Sequence, residues 1–329
     1  MKLFCTLAAF AVVATPALAD DSSAMLGAGG IVLTRQADIR MAVEDLRLSP
    51  KAVNVHYEFI NDGKSDVDTI VAFPLPDIDV QEFYYEPLGT TTDHTPNFMD
   101  FKLTVDGKPV DATAEERAVK DGRDVTAQVK AAGLPINIIG GELVKKLDAM
   151  PAAQRKALAA QGILEIDDGN EVHPHWIAQT KFWWKQHFPA GKTVTIEHRY
   201  QPVTGQTFFG AYSMQGEQGA YYDKNFCLDA PTKATLRARI AAVTKKHADS
   251  GDYLAQYTTE FVLKTANNWK GPIGRFHLTL DKLKPDNVLS LCWNGDLRKT
   301  GATTFEATRD NFAPSSDVKL LVLETPSPQ

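Results

Sequence analysis

The alternation of apolar and polar side chains is clearest in residues 171–203, EVHPHWIAQTKFWWKQHFPAGKTVTIEHRYQPV. From Thr180 onward Phe182, Trp184, Gln186 and Phe188 alternate with Lys181, Trp183, Lys185 and His187. After Pro189-Ala190-Gly191, the set Val194, Ile196, His198 and Tyr200 alternates with Thr193, Thr195, Glu197 and Arg199. A period of two puts each set on one face of a strand, so the pattern predicts a long β-hairpin with one aromatic face. Two strands cannot bury such a face alone, which places the hairpin centrally in a larger antiparallel sheet.

Other stretches repeat the period. Residues 31–35 and 39–48 read as strands, the second with Ile39, Met41 and Val43 alternating with Arg40, Ala42 and Glu44. Val53, Val55, Tyr57 and Phe59 follow at strict two-residue spacing, then residues 66–73, ended by Pro74-Leu75-Pro76. Asp106-Gly107 within residues 101–110 marks a tight hairpin. From residue 114 to 162 the composition is helical: Asp124 can cap a segment ending at Gly133, Leu143, Leu147 and Met150 share one side, and Pro151 and Gly162 bracket a third helix. This block predicts a helical insertion at about residues 112–165, either a cover over a sheet end or a lid over a site, with the cover favoured. Residues 204–219 are glycine-rich and read as surface loop. Asp229 and Pro231 then open a helix ending at Lys245-Lys246, and strands return at 257–264, 275–280, 288–293, 304–308 and 318–323. The expected fold is mainly β, of the α+β class. It has a sandwich-like antiparallel core with a helical insertion over residues 20–220, and a smaller C-terminal α+β region over 221–329, packed closely on it.

The first 19 residues change the compartment: Lys2, an apolar run over residues 3–14, and Thr15-Pro16-Ala17-Leu18-Ala19 form a secretory leader with expected cleavage between Ala19 and Asp20. No lipid-accepting cysteine follows it and no later apolar run is long enough to span a bilayer, so the mature protein is expected to be periplasmic and not membrane-embedded. The 329-residue chain is 43% hydrophobic and 23% charged, enough for one large or two medium domains. Its net charge of −6 becomes one unit more negative when Lys2 is lost, and no basic block tracks phosphates, which argues against nucleic acid. Loss of Cys5 leaves Cys227 and Cys292 in an oxidising compartment, where a structural disulfide is the favoured reading over a redox-active pair, since they are not CxxC.

Several long strings resemble a bacterial exported family known as domain of unknown function 4424: GGIVLTRQADIRMAVEDLRLS at residues 29–49, VAFPLPDID at 71–79, FCLD at 226–229 and NWKGPIGRFHLTLDKLKPDNVLSLC at 268–292. The resemblance spans nearly the whole mature chain and implies no catalytic residues. FPLP followed by LTVDGKPV also resembles the β-sandwich of vault and inter-alpha-trypsin inhibitor proteins, over residues 53–116, and implies a sandwich without a function.

Candidate chemistry gathers near the aromatic stretch. His173 and His175, alternate on a strand, with Asp167, Asp168, Glu171, His187 and His198 nearby, supply metal-ligand types, although Pro174 interrupts them and ordinary polar histidines fit as well. The acidic turns at 61–68 and 167–171 lack the EF-hand spacing. There is no GxSxG, P-loop or GxGxxG. Trp183, off the aromatic face, and Tyr85 could stack on a sugar or peptide. The residues expected to make contact with a ligand are therefore His173, His175, Trp183, His187 and Tyr85, with no cofactor predicted and the two histidines as the metal candidates. The sequence favours a non-enzymatic binding or envelope-support protein that engages a protein, peptide or glycan of the cell envelope. The alternatives are a metal-assisted hydrolase with its site at His173 and His175, and a subunit of an envelope complex.

Overall fold

The computed structural model describes residues 21–27, 30–84, 88–89, 96–169, 171–246 and 253–326. The leader cleavage site at Ala19 and Asp20, and Tyr85, lie outside these described residues.

Two sheets face each other. One runs in the order Arg298–Lys299, Thr304–Phe312, Ile273–Asp281, Ile39–Leu48, Val53–Asn61, Thr193–Tyr200, Lys102–Val105 and Lys108–Val110. The other runs Arg123–Asp124, Thr113–Lys120, Ile177–Phe188, Val67–Pro74, Ser22–Gly27 and Gly30–Leu33, with Ile78–Asp79 added beside Ile177–Phe188. Pairing is antiparallel except where Ile273–Asp281 lies parallel to Ile39–Leu48. The fold is mainly β, with an antiparallel sandwich at its centre.

The expected hairpin is instead an arch. Ile177–Phe188 pairs with Val67–Pro74 and Thr113–Lys120, whereas Thr193–Tyr200 pairs with Val53–Asn61 and Lys102–Val105, so the two strands belong to opposite sheets. Their apolar faces meet across the interior: the Trp184 and His198 rings stand 5.5 Å apart edge-on, and Phe59 and Phe188 5.9 Å. Phe101 stacks on Phe182 at 4.4 Å and lies 6.1 Å from Tyr200. Offset and edge-on pairs of this kind add to the burial of the rings themselves. The alternation identified the buried faces correctly, but side-by-side and face-to-face strands share that alternation.

Two local exceptions to the sequence reading have physical causes. Residues 113–120, TAEERAVK, form a strand and not the start of a helix, because seven consecutive register partners on Ile177–Phe188 outweigh weak helix propensity. Helices begin only at Thr126–Ala131, followed by Glu142–Asp148 and Ala152–Ala160, and their Val129, Leu143, Leu147 and Leu158 enter the main core. In Ile39–Leu48 a bulge between Met41 and Val43 shifts the alternation, leaving Val43 half-buried and turning Glu44 fully inward. Gly274 lies against this bulge; a Cβ there would sit 2.5 Å from the Ala42 carbonyl oxygen.

A third sheet runs Val288–Ser290, Val318–Glu324, Tyr253–Phe261, Thr204–Gly210 and Leu88–Gly89. The passage read as surface loop therefore supplies the strand Thr204–Gly210 and the start of the helix Gly216–Phe226, within which the expected boundary near residue 221 falls. Val318–Glu324 is buried on both faces. Val318, Leu320 and Val322 join the main core, while Leu321 and Leu323 face a second core made with Phe226, Leu236 and Ile240 of the helices Gly216–Phe226 and Ala230–Lys246. Cys227 and Cys292 form a disulfide that joins the end of Gly216–Phe226 to the segment after Val288–Ser290. Among the described residues no helix is long and apolar enough to cross a membrane.

Candidate functional site

The residues singled out along the aromatic stretch do not meet in one place. His173, on the short strand Val172–Pro174, directs Nε2 to Asp167 Oδ2 at 3.5 Å. Asp167, Glu171 and His173 present ligand atoms all within 4.8 Å of one another, a group of metal-ligand type among the described residues. The turn closes on itself, since the Glu171 amide donates to Asp167 Oδ1 at 2.8 Å and holds that carboxyl below its ordinary pKa. His175 is not in this group: its Nδ1 lies 3.0 Å from Lys120 Nζ, which also donates to the Gly162 carbonyl. His187 sits near the far end of Ile177–Phe188, ten residues and so roughly 33 Å along that strand from Ile177, where Asp68 and Asp66 flank it at 2.8 and 3.6 Å. Trp183 is half-buried and packs, beside Leu33 and Ile70, on the small cluster of Ala24 and Ala72. His198, on the opposite strand, is fully enclosed among Tyr57, Phe73, Phe101 and Trp184, and burial pushes its imidazole down to about 3.

A cleft forms where the proline-rich segment VAFPLPDID leaves the sandwich. Pro74 ends its strand, as a residue without an amide donor must at the limit of a ladder. The chain then clings to its neighbour, Leu75 N donating to Thr180 O at 2.8 Å and Val80 N to Trp176 O at 3.2 Å. Leu75, Ile78 and Val80 are buried, whereas Asp77, between them and off that face, opens toward the third sheet. Asp79 holds the following turn by accepting from the amides of Gln81 and Glu82 at 3.0 and 3.2 Å.

The space between this segment, the loop around Phe98 and Met99, and the third sheet with its helix is about 330 Å³, and is lined by apolar Phe98, Ile177, Tyr221 and Phe226 and by acidic Asp77 and Glu260. A second lobe of about 460 Å³ shares Pro76, Asp77, Glu260 and Lys319, and adds Lys224, Lys264 and Asp317. Most of its charges are already matched: Lys319 pairs with Glu260 and Lys264 with Asp317, both at 3.3 Å. Asp77 differs. Its Oδ2 accepts from the neutral amide of Gln179 at 3.0 Å, and loss of surrounding water raises its carboxyl to about 6, against the opposing pull of Gln179 and Lys181. More than a third of the residue still meets solvent through the cleft mouth. Lys181, buried on the same face, is pushed down by its own desolvation.

A concave, half-apolar space with a few converging polar groups and one perturbed carboxyl is the usual form of a small-molecule site. Sequence reasoning missed it because its walls come from separate parts of the chain. The available signal was an aspartate set between proline and isoleucine at a strand end.

With this geometry in hand, the chain belongs to the family described as a domain of unknown function, DUF4424, whose model matches residues 19–321. No curated protein matches it in sequence. Among solved structures it is similar to a candidate nutrient-binding protein from Legionella pneumophila subsp. pneumophila str. Philadelphia 1, with a TM-score of 0.46 and 18% identity, covering 88% of this chain and 68% of that one.

Proposed function

We propose that this is an exported, non-enzymatic binding protein of the cell envelope that takes a small organic ligand in the cleft at Asp77. The observation that carries the reading is the carboxyl of Asp77, held by a neutral amide at the mouth of a half-apolar space where Glu260 pairs with Lys319 and Asp317 with Lys264. A ligand that fits has an apolar body for Phe98, Ile177 and Phe226, and a hydrogen-bond donor or cationic nitrogen for Asp77. Binding of a cation weakens as pH falls through about 6, since protonation removes the charge it meets. Export rests on the leader at residues 1–19.

The test is a thermal-shift and calorimetric screen of the mature protein against organic amines, amino acids and short peptides. Asp77→Asn is expected to weaken a hit about tenfold, the size of one charge-assisted hydrogen bond, with the unliganded melting temperature retained. Equal binding by the variant would move the ligand elsewhere. The hydrolase alternative has one favouring observation, the group Asp167, Glu171 and His173, and requires metal-dependent turnover that His173→Ala abolishes.

A further inference from the structure

The ion pairs of the cleft leave a remainder. Six charged side chains line its larger lobe: Asp77, Glu260 and Asp317 against Lys224, Lys264 and Lys319. Lys319 pairs with Glu260 and Lys264 with Asp317, each at 3.3 Å. Asp317 is held further by accepting from the amides of Leu263 and Lys264 at 3.1 and 3.2 Å. Among the described residues this leaves one anion, Asp77, and one cation, Lys224, outside any ion pair, and the two line the same space without meeting. Lys181 draws on the Asp77 carboxyl through space, but it is drawn by Glu115 as well and lines neither lobe. The local fold holds both groups in place. Gln179 Nε2 donates to Asp77 Oδ2 at 3.0 Å, and Ile78 beside it is buried. Lys224 is exposed in the last turn of Gly216–Phe226, where the disulfide at Cys227 ties the helix end to Cys292, whose Sγ lies 3.5 Å from the Lys224 carbonyl oxygen. Ser315 and Ser316 line the same lobe and bring hydroxyl donors.

We infer that the cleft takes a zwitterion: a ligand whose ammonium meets Asp77, whose carboxylate meets Lys224, and whose apolar side chain enters the smaller lobe. This rests on the cleft reading and narrows it from any amine to one that also carries a carboxylate. A free amino acid with a large apolar side chain and a short peptide containing one share that chemistry. The smaller lobe, about 330 Å³, opens from the rim of Pro76, Asp77, Glu260 and Lys319 that both lobes share, and offers Phe98, Ile177 and Phe226 to the side chain. A ligand lying across the rim therefore meets apolar surface on one side and the two unpaired charges on the other. An anion alone would meet Lys224 but bring a second negative charge toward Asp77, and a simple amine would leave Lys224 unanswered. The two contacts differ in weight. A charge-assisted hydrogen bond to the Asp77 carboxylate is the stronger, whereas Lys224 is exposed and screened, so it orients the ligand more than it holds it.

The experiment is calorimetry on the mature protein with leucine, phenylalanine and the dipeptide alanyl-phenylalanine, each also as its amide, which lacks the carboxylate, and as its N-acetyl derivative, which lacks the ammonium. At least one zwitterion is expected to bind, and whether the amino acids or the dipeptide bind more tightly identifies the source. Loss of the ligand's ammonium is expected to weaken binding about tenfold and loss of its carboxylate about fivefold. In Lys224→Met the zwitterion and its amide are expected to bind equally, with the unliganded melting temperature retained, while the N-acetyl form stays weaker. An amide that binds the wild type as tightly as the zwitterion, with Asp77→Asn still weakening both, overturns the zwitterion and leaves the amine-binding cleft standing. A preference for the carboxylate that survives Lys224→Met also overturns the inference alone. Binding untouched by Asp77→Asn, or no binding by any of these ligands at millimolar concentration, overturns the inference and the cleft reading together.

Discussion

The neutral imidazole of His198 makes a prediction whose sign separates two pictures of the core. The ring is wholly enclosed, with four aromatic neighbours whose centroids lie 4.9 to 5.5 Å away, and burial lowers its pKa from 6.5 to about 3. The unfolded chain therefore takes up a proton near pH 6.5 that the folded protein refuses until about pH 3. Stability from this group is complete above pH 6.5 and declines as pH falls, at up to about 1.4 kcal/mol per pH unit. Between pH 6 and pH 4 the loss attributable to His198 is about 2–3 kcal/mol. Because carboxylates titrate over the same range, the assay compares wild type with His198→Leu by urea denaturation at half-unit pH steps. The variant is less stable at pH 7 but is expected to lose about 2–3 kcal/mol less on acidification, and the His198 proton resonances of the wild type are expected not to titrate above pH 4. The opposite picture is an imidazolium paired with Asp21, which the 3.4 Å separation would allow. That pair would raise the folded pKa above 6.5, and stability would fall as pH rises through it. A wild type that gains stability relative to the variant on acidification refutes the neutral ring. The neutral form is favoured because the enclosure that strips water from the ring also penalises an ionised pair, whose desolvation its own attraction does not reliably offset.

Two further outcomes test the architecture. Reduction and alkylation of Cys227 and Cys292, which close a separation of 65 residues, is expected to destabilise the protein by about 4 kcal/mol in the loop-entropy treatment, read as a lower denaturation midpoint. An unchanged midpoint would mean that the second core holds the end of Gly216–Phe226 unaided. Gly274→Ala is expected to cost about 1–3 kcal/mol, because the added methyl meets the Ala42 carbonyl oxygen at 2.5 Å and backbone has to move; an unperturbed melting temperature would show that the parallel junction yields easily.

What could be read from the sequence was which side chains are buried, and what could not was who their neighbours are. Phe182, Trp184, Phe188, Val194, Ile196 and Tyr200 are all core residues, as their alternation required. Yet the same period of two describes a hairpin and an arch, and the choice between them lies in hydrogen bonds to Val53–Asn61 and Val67–Pro74, more than a hundred residues earlier. Glu44 was misassigned for a related reason: one extra residue at a bulge turns every later side chain over, and no residue type announces it. The strand at Thr113–Lys120 was hidden because alanine, glutamate and arginine suit either state until a partner strand decides.

The same physics explains why the densest cluster of chemistry in the sequence gave way to a cleft that no single stretch displays. A strand advances about 3.3 Å per residue, so His187, near the end of Ile177–Phe188, is carried well away from His173, which sits on the separate short ladder of Val172–Pro174 with Leu164–Ile166, while every second side chain between them is taken by the core. A sandwich leaves room for a site mainly where strands end and connections cross. There the determining residues come singly: Asp77 from the proline-rich exit, Phe98 from a loop, Tyr221 and Phe226 from a helix, and Glu260 and Lys319 from neighbouring strands of the third sheet. Residues adjacent in sequence on a strand are therefore poor candidates for a shared site in this fold. A charged residue isolated among apolar ones at a strand end, as Asp77 is, is the better signal.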